Sequence, residues 1–135
     1  MDDKVVITGG RGRTYLDSLN RVSLYNRGGW LTDMPSLKNG RYAHGCTSFT
    51  TEGEQVRLGI CMMFAYHVTD ISLQILLVTG GWGDDWNQLD STEVLRPASL
   101  ISGWNEINSG RLPKSLAYLR LANVDNRVLL FGEWR

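Results

Sequence analysis

Chemistry in this chain would rest on few side chains. Cys46 and Cys61, with His44 and His67, are the possible soft metal ligands. Their spacings do not match closed zinc sites, which use close Cys or His pairs. No metal or other cofactor is therefore expected. Asp84 and Asp85, with Asp90 or Glu93, supply the carboxylates a glycosidase would pair across a scissile bond. They follow the glycine doublet Gly80-Gly81, where acids ordinarily solvate a turn. There is no Gly-x-Ser-x-Gly nucleophile elbow, and no Ser-His-Asp set follows from spacing. No catalytic residue is assigned, and the chain is expected not to be an enzyme.

Two segments carry a different chemistry. Arg11, Arg13 and Tyr15 lie in one segment after a glycine doublet, and Trp82, Asp84, Asp85 and Trp86 in another. Aromatics mixed with charge are typical of binding hot spots. These seven residues are the candidate partner-binding positions. The alternative role for both tryptophans is packing on a neighbouring element. The two segments have opposite charge, so they form neither one basic nor one acidic patch.

Composition limits the partners. Basic and acidic residues balance at 14 each, so nucleic acid and anionic membrane are poor partners. No apolar run approaches the ~20 residues of a membrane helix. Two cysteines make no secreted disulfide framework, and Met1-Asp2-Asp3-Lys4 opens no signal peptide. The expected compartment is the cytoplasm. Fifteen glycines, five Trp and five Tyr in 135 residues imply many turns and aromatic packing between strands, an all-β architecture.

Self-similarity organises the chain. Three runs end on glycine: Val5-Val6-Ile7-Thr8-Gly9-Gly10, Leu76-Leu77-Val78-Thr79-Gly80-Gly81 and Val128-Leu129-Leu130-Phe131-Gly132-Glu133. Each is β-prone and apolar without alternation, which suits a strand buried on both faces. After the first come Leu16-Asp17-Ser18, Arg21 to Tyr25, and Trp30. After the second come Leu89-Asp90-Ser91, Thr92 to Leu95, and Trp104. A further strand near 44–50 or 117–122 begins each new unit, so a unit holds four short antiparallel strands.

This pattern resembles the Kelch repeat family, in which a glycine doublet closes the second strand and a Tyr and a Trp follow. Gly9, Gly10, Tyr25 and Trp30 match in the first unit, and Gly80, Gly81 and Trp104 in the second, where Leu95 or Arg96 replaces the Tyr. In the third the doublet has become Gly132-Glu133. The resemblance implies β-propeller blades of four antiparallel strands, with the tryptophans packed between blades. The chain would hold about two and a half: a partial blade at 1–40, a blade at 41–110, and a partial blade at 111–135.

Gly9 and Gly80 are 71 residues apart, but Gly80 and Gly132 only 52. The excess of 19 matches residues 56–74, which have no counterpart in the repeat. Removing them joins 50–55 to Ile75 through a Glu-Gly turn. Val-Arg at one end can be encoded as a splice donor, and Ser-Leu-Gln at the other as an acceptor. The segment is either an in-frame retained intron or a genuine loop, with room for one extra strand.

The resemblance implies a protein-binding scaffold, a fragment of a larger propeller whose open edges demand further blades or self-association. Two alternatives come with it. One is the substrate-recruiting part of a ubiquitin-ligase adaptor. The other is a carbohydrate-binding or oxidase-type propeller domain.

Overall fold

The computed structural model describes residues 4–14, 16–31, 34–50, 65–68, 74–96, 102–125 and 127–132. The chain is all-β: ten strands in three antiparallel sheets, with two single 3-10 turns among the described residues. No helix among those residues is long and apolar enough to cross a membrane.

The first sheet contains β1 (Lys4–Thr8), β2 (Val22–Asn26) and β3 (Gly29–Leu31). The second is a complete meander of β4 (Gly45–Thr50), β6 (Gln74–Thr79), β7 (Thr92–Leu95) and β8 (Asn105–Glu106). The third is a hairpin of β9 (Arg120–Val124) and β10 (Arg127–Phe131). The remaining strand, β5 (Ala65–Val68), falls inside the 56–74 segment and pairs with β1 of the first sheet. Its order there is β3-β2-β1-β5.

Backbone hydrogen bonds show the internal repeat. Gly9 N–H donates to Arg21 O at 2.8 Å and Gly80 N–H to Ser91 O at 3.1 Å. Leu19 N–H donates to Gly10 O at 2.8 Å and Leu89 N–H to Gly81 O at 2.9 Å. Arg41 O accepts from Gly10, and Leu116 O accepts from Gly81. Leu19-Asn20-Arg21 is therefore the partner of Leu89-Asp90-Ser91, and the sequence match to Leu16-Asp17-Ser18 is three residues out of register. The first loop is one residue longer, which local composition does not show.

The doublets are glycine for a geometric reason. Gly9 and Gly80 sit at φ of 65° and 62°, a region unfavourable to side chains. A Cβ at Gly9 would strike the Arg41 carbonyl oxygen, and one at Gly80 would lie 2.6 Å from the Leu116 carbonyl oxygen. Each doublet thus receives the backbone that leads into the next sheet.

The core lies between the first and second sheets. Val6, Val22 and Leu24 meet Cys46, Leu76, Val78, Leu95 and Trp104, with Leu37 from the linker between them. Trp104 is fully buried, and its indole N–H donates to Pro35 O at 2.9 Å. It joins the edge of the second sheet to that linker. Trp30 holds the matching place in the first sheet but is 53 % exposed and leans on Tyr25, with ring centroids 5.2 Å apart. The expected packing of both tryptophans between sheets holds for Trp104 alone. The third apolar run also departs from expectation: Val128 to Phe131 are all exposed, although β9, the one described strand that pairs with β10, buries Leu121 and Asn123.

A polar clasp seals the same interface. Arg41 and Glu93 are completely buried and paired at 2.6 Å. Arg41 also donates to the carbonyls of Gly80 and Ser91, each at 3.0 Å, and to the Ser91 hydroxyl. Glu93 accepts the backbone N–H groups of Lys38 and Asn39 at 2.7 and 3.0 Å. Burial pulls the Arg41 guanidinium below its ordinary pKa, and Glu93 opposes the shift. His44, buried beside it, bonds the Thr8 hydroxyl through Nε2 at 2.8 Å. Burial, then the Arg41 charge, lowers its pKa to about 3, so the ring is neutral. Cys46 is buried and disulfide-bonded, a state that a reducing cytosol disfavours. The other cysteine lies outside the described residues.

Two outcomes test the clasp. Arg41→Met strands the Glu93 carboxylate and is expected to cost about 3–5 kcal/mol in urea unfolding, with partial recovery on adding Glu93→Gln. His44 is harder to protonate folded than unfolded. Its contribution is therefore complete above the unfolded value of 6.5 and is lost as pH falls from there towards 3. His44→Leu, which copies Leu119 of the next unit, should flatten the stability slope across that window relative to the parent chain.

Candidate functional site

The two segments that follow the glycine doublets meet in space. In the first, Arg11 pairs with Ser18, and Gly12 N–H donates to Asp17 O at 2.9 Å, closing a short loop. In the second, Trp82 bridges Tyr42 on one side and Gln88 on the other, and Gly83 N–H donates to Asn87 O at 2.7 Å. The loop tip is the 3-10 turn Asp84–Trp86.

Asp84 locks the two loops together. Its Oδ1 accepts both the backbone N–H and the hydroxyl of Ser18, each at 2.7 Å. Asp85 N–H adds a bond to Leu16 O at 3.0 Å. The Ser18 hydroxyl and then its backbone N–H hold the Asp84 carboxyl below its ordinary pKa. A charged acceptor makes these bonds stronger than neutral ones, although the site is open to water.

The tip is conformationally costly. Asp85 and Trp86 are consecutive non-glycine residues with φ of 54° and 58°. Left-handed backbone is uncommon for a bulky residue, and such strain gathers at binding and catalytic positions. Trp86 is 50 % exposed and meets Trp82 edge to face at 5.9 Å, so the half-buried ring props the exposed one. Leu16 and Leu19 are also exposed, at 47 % and 42 %.

Six of the seven candidate partner-binding positions are therefore placed. Arg11, Arg13, Asp84, Asp85 and Trp86 are exposed, Trp82 supports them, and Tyr15 lies outside the described residues. The loops have opposite charge and form one surface of mixed sign. Sequence reasoning missed Ser18, Leu16 and Leu19. Ser18 stands 66 residues from Asp84, and no local pattern marks the pair.

The other chemical candidates do not come together. Glu93 is sealed by Arg41, Asp90 pairs with Arg111 at 3.0 Å, and Asp84 is held by Ser18. His44 is a buried structural tie. Among the described residues no three His, Cys, Asp or Glu side chains gather into a metal-binding group. Cys61 lies outside those residues. The repeat positions Gly9, Gly10, Gly80 and Gly81 join the sheets, Tyr25 and Trp30 form an exposed pair, and Trp104 is core. A Cβ at Gly132 would press on the Leu119 side chain. The chain matches no protein-family model and no curated protein.

The loop lock has a pH signature. A carboxyl held below its ordinary value stabilises above that value and loses its contribution as pH falls through the folded midpoint. Carboxyl titration by NMR should place Asp84 below its ordinary 3.8, and Ser18→Ala should move the midpoint upward.

Proposed function

We propose that this chain is a set of stacked Kelch-type propeller blades acting as a protein-binding scaffold, with the locked loop pair as its contact surface. The observation that carries the reading is the half-exposed indole of Trp86, held by two left-handed residues on a loop tied to its neighbour. An aromatic fixed before the partner arrives loses little conformational entropy on binding. A rigid ring ringed by both charge signs suits an apolar pocket with a mixed polar rim. Arg11 and Arg13 would meet partner carboxylates, and Asp84 and Asp85 its basic groups. The blade reading is supported by the four-strand meander of the second sheet and by the repeated doublet-to-linker bonds.

A displayed peptide library selected on the intact chain supplies a defined ligand. Trp86→Ala is expected to weaken the selected peptides by about 2 kcal/mol or more, as at hot spots, with unfolding unchanged. Arg13→Ala should weaken acidic peptides among them. Selected peptides that bind Trp86→Ala as tightly as the parent would overturn the assignment.

A further inference from the structure

The three glycine-ended strands share one edge arrangement. On the edge of β6 away from β7, β4 pairs antiparallel, with Cys46 opposite Val78, one residue before Thr79. On β10, β9 pairs antiparallel, with Leu121 opposite Leu130, one residue before Phe131. On the edge of β1 away from β2, β5 pairs antiparallel, with Ala65 opposite Ile7, one residue before Thr8. The antiparallel sense is the same in all three, and β4 and β5 take the same side, away from the following strand. β4 and β9 reach the last residue of the strand they cover, Gly45 opposite Thr79 and Arg120 opposite Phe131, whereas β5 stops one residue short, at Ile7. The difference is chain order: β4 and β9 precede the strands they cover, whereas β5 comes from the connection between β4 and β6 of the next sheet.

We infer that β5 is a stand-in first strand, an intramolecular cap on the β1 edge, and that uncapping opens a strand-addition site for the β9–β10 hairpin of a second copy. An open edge presents a row of unpaired N–H and C=O groups that templates another strand. The second copy offers a fitting edge. Among the described strands, β10 pairs only with β9, and Val128, Leu129, Leu130 and Phe131 are all exposed. Pairing β10 of one copy with β1 of the next is heterologous, so association does not stop at a dimer. The inference rests on strand pairing and the exposure of β10, and stands apart from the scaffold proposal.

Three forms of the chain test it: the intact chain, a deletion of residues 56–74 carrying Cys46→Ser because the deletion removes Cys61, and the full-length double substitution Tyr66→Pro with His67→Pro. Adjacent residues of a strand point their N–H groups to opposite edges, so the proline pair removes a donor to β1 whichever residue provides it. In the intact chain, amide exchange should show β1 protected on both edges. In dilute uncapped forms, β1 protection on the β5 side should fall by about tenfold or more, since few bonds then hold it. Light-scattering mass should rise with concentration in both uncapped forms more than in the intact chain. Leu129→Lys, which charges the β10 row, should reverse that rise. Rapid exchange of β1 in the intact chain overturns the inference, and it can be read even where both altered forms fail to fold. So does an uncapped form whose mass matches the intact chain, or association that ignores Leu129→Lys.

Discussion

The linker between the first two sheets is tied to the second by one buried ion pair. Arg41 and Glu93 have no exposed surface and between them fix the Gly80 and Ser91 carbonyls and the Lys38 and Asn39 amides. Removing two charges from water is unfavourable unless every remaining donor and acceptor is met. Here the partners are largely backbone groups of the linker and of the second sheet. The pair therefore acts as a positioning device. It ties the linker from the first sheet across the second, as does the bond from the Trp104 indole to Pro35 O.

That placement explains the loops. The doublets accept the incoming linkers at Arg41 O and Leu116 O, so consecutive sheets stack with their post-doublet loops on one side. Ser18 and Asp84 then fall within hydrogen-bond distance although they belong to different sheets. A strained tip at Asp85-Trp86 persists only where its surroundings hold it. The Asp84 lock, the Asp85–Leu16 bond and the Trp82 ring provide that support.

Much of this was legible in the sequence, and the failures have physical causes. The all-β class, the glycine-ended strands and the equivalence of Trp30 and Trp104 follow from local composition and spacing. Arg11, Arg13, Asp84, Asp85 and Trp86 are exposed, as aromatics and charges together in a turn suggest, while Trp82 is half-buried beneath Trp86. Strand edges and sheet neighbours were not legible. β5 pairs with a strand about sixty residues earlier, and period-2 patterning specifies a face but not a partner. The exposure of β10 was missed for the same reason: an apolar run reveals what a strand can bury and not what covers it. One added residue in the first loop shifts Leu19-Asn20-Arg21, not Leu16-Asp17-Ser18, onto the place of Leu89-Asp90-Ser91.

The clasp is open to direct observation. With Arg41 labelled in its guanidinium, NMR at neutral pH should show slowly exchanging Nη protons with cross-relaxation to the Ser91 and Gly80 backbone. A rapidly exchanging, solvent-averaged guanidinium would contradict the account, since the linker would then lack the buried charge pair that ties it to the Gly80 and Ser91 carbonyls.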